Sequence, residues 1–209
     1  MSIVEFEFQP ATPDRWKDVE ALFGERGACG GCWCRFWKQT RSEYERDKGE
    51  ANRKALKKSV QRGEVPGLLA YSGAEPVGWC AVEPRERFSS LARSRVLKPV
   101  DNRPVWSVPC FFVRRDFRNK GLTVLLLKAA AEYARRKGAE MLEGYPVGTI
   151  QARMPDAFAY RGLPSSFRRA GFHVAARRSA HRPIMRLELT PKKTRRHQGT
   201  KRSRRSKRS

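Results

Sequence analysis

Histidine is scarce in this sequence, and acid is short for its length. Three histidines occur in 209 residues, the first at His173. The five cysteines therefore have no evident imidazole partner for nucleophilic catalysis. Asp and Glu number 21 against 45 Lys and Arg, and the formal net charge is +24. That excess suits an anionic cofactor or substrate without identifying one. No stretch approaches ~18 consecutive apolar residues, so no transmembrane helix is expected. The opening MSIVEFEFQP has neither a basic region nor a long apolar one, so no secretory signal is expected. A cytoplasmic location and reduced cysteines are the corresponding expectations.

The charge is unevenly spread. Residues 191–209, PKKTRRHQGTKRSRRSKRS, hold ten Lys/Arg and no acid. The remainder keeps 35 Lys/Arg against 21 acids, a charge of +14. The tail offers no side chain large enough to build a core and is expected to be disordered. It would attract nucleic acid through counterion release, without sequence preference. A merely solvated tail is the plainer alternative. The expected division is one domain at 1–190 and a basic tail at 191–209.

Apolar patterning outlines the domain. Residues 3–8, IVEFEF, alternate as a half-buried strand does. Thr12 can cap a helix from Pro13 that carries Trp16, Val19, Leu22 and Phe23 on one face. A loop rich in glycine, cysteine and aromatics, GACGGCWCRFW, spans 27–37. A polar helix is expected over 42–62, with Ser42 and Glu45 as its capping box. Strands over 67–71 and 76–82 are joined by the turn SGAE. The basic connection at 84–104 is irregular and long enough to suggest substrate binding. Residues 105–113 read as a central strand, with Pro109 interrupting its ladder on one side. Leu122, Leu125, Leu126, Ala129 and Tyr133 mark one helical face, ended by Gly138. A strand over 139–145, a loop over 146–160, a helix over 164–170 and strands over 172–177 and 183–189 follow. The fold class is α/β: a mixed sheet of about seven strands flanked by helices on both sides.

One junction points to chemistry. In VRRDFRNKGLT a strand feeds a helix through Gly121, amid Arg114, Arg115, Arg118 and Lys120. Exposed N–H groups and the helix dipole make such a junction an anion site. The GKS/GKT of a Walker loop is absent from it, as is the dinucleotide GxGxxG. A tight structural turn is the plain alternative.

That stretch resembles the V-x-P-x-x-R-x-x-G-x-G/A motif of the GCN5-related N-acetyltransferases, the GNAT family. Arg118, Gly121 and Thr123 match its Arg, first Gly and final small position, and Val113 its strand position. Arg115 stands at the usual Pro, and Thr123 at the usual Gly or Ala. The ending SSFRRAGF resembles the family's helix that closes in a Gly-Phe pair before the last hairpin. Val105–Val113, the run Glu143–Val147 and the Cys32-Trp33-Cys34 loop resemble an uncharacterised bacterial branch of the family. The element order extends the likeness over roughly 3–189.

The resemblance implies the GNAT acyl-CoA N-acyltransferase fold. It implies acetyl transfer to a primary amine by direct attack on the thioester of acetyl-CoA, as cosubstrate and without a metal. The pyrophosphate would rest on Arg118, Asn119, Lys120, Gly121, Leu122 and Thr123. The pantetheine arm would pair with Val113, and Phe111 or Phe112 would give the oxyanion its N–H. Glu143, then Glu83, are the expected bases. Phe167 stands at the family's usual tyrosine, so that acid is missing; Tyr145 or Tyr160 could replace it, as could unaided departure of the thiolate. For Cys29-x2-Cys32-x-Cys34, loop packing competes with zinc binding. A catalytically weak domain anchored to nucleic acid by its tail is the alternative function. Small amine, antibiotic, peptide and protein lysine all fit as acceptors, and monomer and homodimer fit equally.

Overall fold

The computed structural model of the chain describes residues 5–148 and 160–189. In order they form β1 (Glu7–Pro10), α1 (Trp16–Phe23), α2 (Arg41–Asp47), α3 (Glu50–Gln61), β2 (Gly67–Ser72) and β3 (Glu75–Ala81). Then come β4 (Glu83–Pro84), α4 (Ser89–Arg93), β5 (Trp106–Val108), β6 (Phe111–Val113) and α5 (Leu122–Arg136). β7 (Met141–Gly144), α6 (Pro164–Arg169), β8 (His173–Arg177) and β9 (Pro183–Glu188) complete them. The basic tail at 191–209 and most of the loop at 146–160 lie outside the described residues.

The strands form two sheets, ordered β1-β2-β3-β6 and β4-β5-β7-β9-β8. β5 and β7 run parallel and every other pair is antiparallel. The described strands number nine rather than about seven. One extra strand is the short β4. The other arises because the strand expected over 105–113 leaves one sheet for the other at Pro109–Cys110. Pro109 has no N–H to give a ladder, so pairing stops there. β5 joins β7, whereas β6 joins β3. The two sheets thus part between β6 and β7.

Helices cover both faces. α5 packs its buried Leu122, Leu126, Leu127, Ala130 and Tyr133 with Leu68 and Ala70 of β2. Each fully buried leucine contributes about 2 kcal/mol. Gly78 lets the helix approach β3: an added Cβ would lie 3.1 Å from Leu122 Cδ2. The other face of β2, Leu69 and Tyr71, packs with Trp16, Val19 and Phe23 of α1 and with Leu56 and Val60 of α3. Leu125 departs from the expected apolar face and is 37% exposed.

Other expectations shift for local reasons. The polar helix is two helices, because Gly49 takes φ +90° between them and its N–H donates to Gly31 O at 2.8 Å. The capping box is Thr40 with Glu43, two residues before the expected pair. Thr12 makes no cap bond; its hydroxyl accepts from Arg15 Nη1 at 2.9 Å, and a 3-10 turn precedes α1. The 84–104 connection is no bare loop. It carries β4, a 3-10 turn and α4, and buries Phe88, Leu91 and Leu97. Among the described residues no helix is long and apolar enough to cross a membrane.

Candidate active site

A cavity of about 800 Å³ lies where the sheets part. β6 forms one wall and pairs with β3 on one side only. Ala81 N–H donates to Cys110 O, and Arg114 N–H to Val77 O, each at 3.0 Å. Alternation along an antiparallel ladder turns the Phe112 backbone toward β3 as well. The N–H and C=O of Phe111 and Val113 therefore point to the open side. Val113 O there accepts from Arg118 Nε at 3.1 Å.

The same wall runs into the start of α5. Gly121, at φ +78°, forms its N-cap, and an added Cβ would meet nothing within 4 Å. Asn119 also takes a positive φ, +59°. These two turns aim the first N–H groups of the helix outward, where they lack intrahelical partners. Arg118, Asn119, Gly121, Leu122 and Thr123 line the cavity, as do Phe111, Phe112 and Val113. Lys120 does not; its ammonium lies over the Phe117 ring, 5.0 Å from the centroid. Arg114 is engaged by Asp116, at 2.8 and 2.5 Å, and by Glu75 at 3.2 Å.

The three residues expected to be catalytic do not line the cavity. Glu143 is fully buried. Its Oε1 accepts from Arg85 Nη1 and from the Tyr145 hydroxyl, each at 2.7 Å, and its Oε2 from Arg186 Nε at 2.8 Å. Tyr145 also accepts from Arg85 at 2.5 Å and shares a 2.7 Å bond with Ser107. Burial, and then Glu143, hold the Tyr145 phenol well above its usual range. Glu83 is 4% exposed and paired with Lys38 and, at 3.6 Å, with Arg87. All three side chains anchor the domain instead of facing the opening. Phe167 is likewise core: its ring fills the space above Gly144 and meets Phe111 and Phe172.

The far end of the cavity is aromatic and sulfurous. Phe36, Trp37, Tyr44 and Tyr160 line it with Cys29, Cys32, Cys34 and Cys110. The Tyr160 oxygen accepts from Arg161 Nε at 3.0 Å, and burial raises the phenol above its usual range. The Tyr44 hydroxyl donates to Gly30 O at 3.1 Å; burial pushes it up to about 12. Cys34 and Cys110 approach to 3.2 Å, a meeting of residues 76 apart that no local pattern signals. Among the described residues, no group of three or more His, Cys, Asp or Glu is placed to hold a metal ion.

The Acetyltransferase (GNAT) family model matches residues 32–145, more than half of the chain. The chain belongs to the GNAT family of acetyltransferases. As a GNAT protein it is an N-acetyltransferase. The fold agrees with several solved structures at low identity. A GNAT acetyltransferase from Listeria monocytogenes has a TM-score of 0.53 at 13% identity, over 89% of this chain and 96% of that one. YncA of Salmonella typhimurium, solved with its cofactor acetyl-CoA, has 0.52 at 13%, over 88% and 94%. PaiA N-acetyltransferase from Thermoplasma acidophilum, in complex with coenzyme A, has 0.50 at 12%, over 88% and 99%. No curated protein matches the sequence.

Proposed function

We propose that this GNAT protein transfers the acetyl group of acetyl-CoA to a primary amine by direct attack on the thioester. The observation that carries the reading is the continuity of β6's open edge with the start of α5 along one cavity wall. That wall offers backbone partners for an extended arm, and then N–H donors for a pyrophosphate. Acetyl-CoA in YncA and coenzyme A in PaiA support the same cosubstrate here.

The roles follow from the geometry. Gly121, Leu122 and Thr123 give N–H groups to the pyrophosphate, and Arg118 adds its charge. Val113 pairs with the pantetheine arm. The Phe111 N–H, not that of Phe112, is the donor for the developing oxyanion, because Phe112 is turned to β3. Among the described lining residues there is no carboxylate, so the attacking amine gives its proton to water. Tyr160 is the acid for the leaving sulfur. Arg161 Nε already occupies its oxygen as a donor, leaving the hydroxyl hydrogen to give. Residues 191–209 are a polyanion-binding appendage to this 1–190 unit.

The test combines calorimetry with acetyl-CoA and turnover against a panel of small amines and lysine peptides, read by mass spectrometry of the product. Cofactor binding with an N-acetylated product is expected. Absence of acetyl-CoA binding, or thioester cleavage with no acetylated amine from any acceptor class, would overturn the reading.

A further inference from the structure

Two thiols that the acetyl transfer leaves unused meet at the far end of the cavity. Cys34 Sγ and Cys110 Sγ lie 3.2 Å apart, about 1 Å beyond covalent S–S distance. Cys110 sits at the break between β5 and β6, its carbonyl fixed by Ala81 N–H. Cys34 comes from the loop between α1 and α2, and both line the cavity.

The loop is built to hold that approach. Cys34, Trp33 and Ala28 take φ of +54°, +41° and +69°, conformations that cost free energy for residues with a Cβ. Packing holds them there. The Trp33 indole covers Gly27, where an added Cβ would fall 2.3 Å from its Nε1. Gly31 is equally tight: an added Cβ would fall 2.5 Å from Gly49 N. Asn52 Nδ2 ties Gly31 O to α3 at 3.4 Å. A clamped loop and a fixed strand break leave the sulfurs little room to separate.

We propose that Cys34 and Cys110 form an oxidation site, a thiol pair that is converted to a disulfide by thiol–disulfide exchange and gives its two electrons to a low-molecular-weight disulfide entering the cavity. The Cys110 thiol loses its proton to solvent, and its sulfur attacks one sulfur of the disulfide RSSR. A Cys110–S–SR bond forms and the first RS⁻ leaves, taking up a proton as RSH. Cys34 then gives up its proton, and its sulfur displaces the second RS⁻ from Cys110. The pair has lost two electrons and two protons, and two RSH have formed. Cys34 is the second sulfur: burial, and then the Cys110 thiol beside it, hold its own thiol well above the ordinary range. The resulting bond staples the α1–α2 loop to β5–β6 across the far end of the cavity.

The test treats the reduced full-length protein with coenzyme A disulfide in one arm and glutathione disulfide in the other, followed by non-reducing peptide mapping. The expected product joins the Cys34 peptide to the Cys110 peptide, with two thiols released per chain, and dithiothreitol reverses it. C34S should stop at a mixed disulfide on Cys110, with one thiol released. Reaction with coenzyme A disulfide alone assigns entry along the cofactor path; reaction with both assigns small disulfides in general. Either supports the site. Uptake confined to exposed Cys29, with Cys34 and Cys110 recovered as thiols in both arms, overturns it. The map needs no turnover, so its result stands apart from that of the acetyl-transfer assay.

Discussion

Arg186 and Glu143 form a fully enclosed ion pair at 2.8 Å, within a network that also holds Arg85, Tyr145 and Asp101. The network joins β9, β7 and the connection that follows β4. A base working on a substrate amine needs access to it, and this carboxylate has three donors and no open face. Glu143→Gln should therefore act on stability. It leaves two guanidinium groups facing a neutral amide in a buried site, and removing one member of such a pair costs about 3 kcal/mol or more. A urea titration should show the lowered midpoint, with acetyl-CoA affinity retained by the folded fraction. An unchanged midpoint with lost turnover would return Glu143 to catalysis.

Asp101 closes the outer end of that network, with Arg186 at 2.6 and 3.2 Å and Arg103 at 3.2 Å. Its hydrogen bond to Arg186, first among the causes, holds its carboxyl well below the usual range. A depressed folded pKa gives stability that is present above the unfolded value, near about 3.9. It is lost as pH falls through the lower folded value. Wild type should thus exceed Asp101→Asn in stability at neutral pH, and the gap should narrow only below about pH 4. Denaturant midpoints measured down the acid range would show it; a gap that narrows between about pH 6 and 8 would assign the effect to another group.

Phe167 and Tyr160 make a paired test of the leaving-group acid. Phe167→Tyr restores the family's residue, but its ring already fills the site: an added Cβ on Gly144 would fall 2.0 Å from Cε1. The added hydroxyl should cost about 1–3 kcal/mol by over-packing and bring no gain in rate. Tyr160→Phe should instead lower kcat about 100-fold with cofactor affinity unchanged. A rate gain in the first variant, or full kcat in the second, would put the acid elsewhere.

The sequence made the frame of this site legible because its signals are local. Apolar runs marked β2, β3 and the 105–113 strand, and the Gly121 junction marked the start of α5. Pro109 announced an interruption, but not that the chain would change sheets there, since that depends on which neighbours β5 and β6 find. The burial of the two candidate carboxylates, Glu143 and Glu83, away from the cavity is illegible for the same reason. Glu143 ends a strand, as a base could, yet the arginines that neutralise it lie 58 and 43 residues away. Leu125 fitted the helical period and still faces outward, because α5 buries Leu127 instead. Nothing near Cys34 in sequence foretold Cys110.

The cofactor loop gives the sharpest separation of charge from backbone. Gly121 sits at φ +78° with open space where a Cβ would go, so substitution meets conformational strain and no collision. Gly121→Ala carries that strain alone, about 1 kcal/mol in a left-handed conformation. Gly121→Asp adds an anion at the start of α5, against the N–H groups assigned to the pyrophosphate. Aspartate tolerates this backbone better than most residues, so the fold should survive at least as well as in the alanine variant. Its negative charge beside that helix start would be harmless, even favourable, in a protein with no ligand there. If acetyl-CoA sits as proposed, the alanine variant should keep most of its affinity and the aspartate variant should lose at least about tenfold, or about 1.4 kcal/mol. Calorimetric titration of both, beside their thermal midpoints, decides the matter. Equal affinities in two folded variants would move the pyrophosphate away from Gly121.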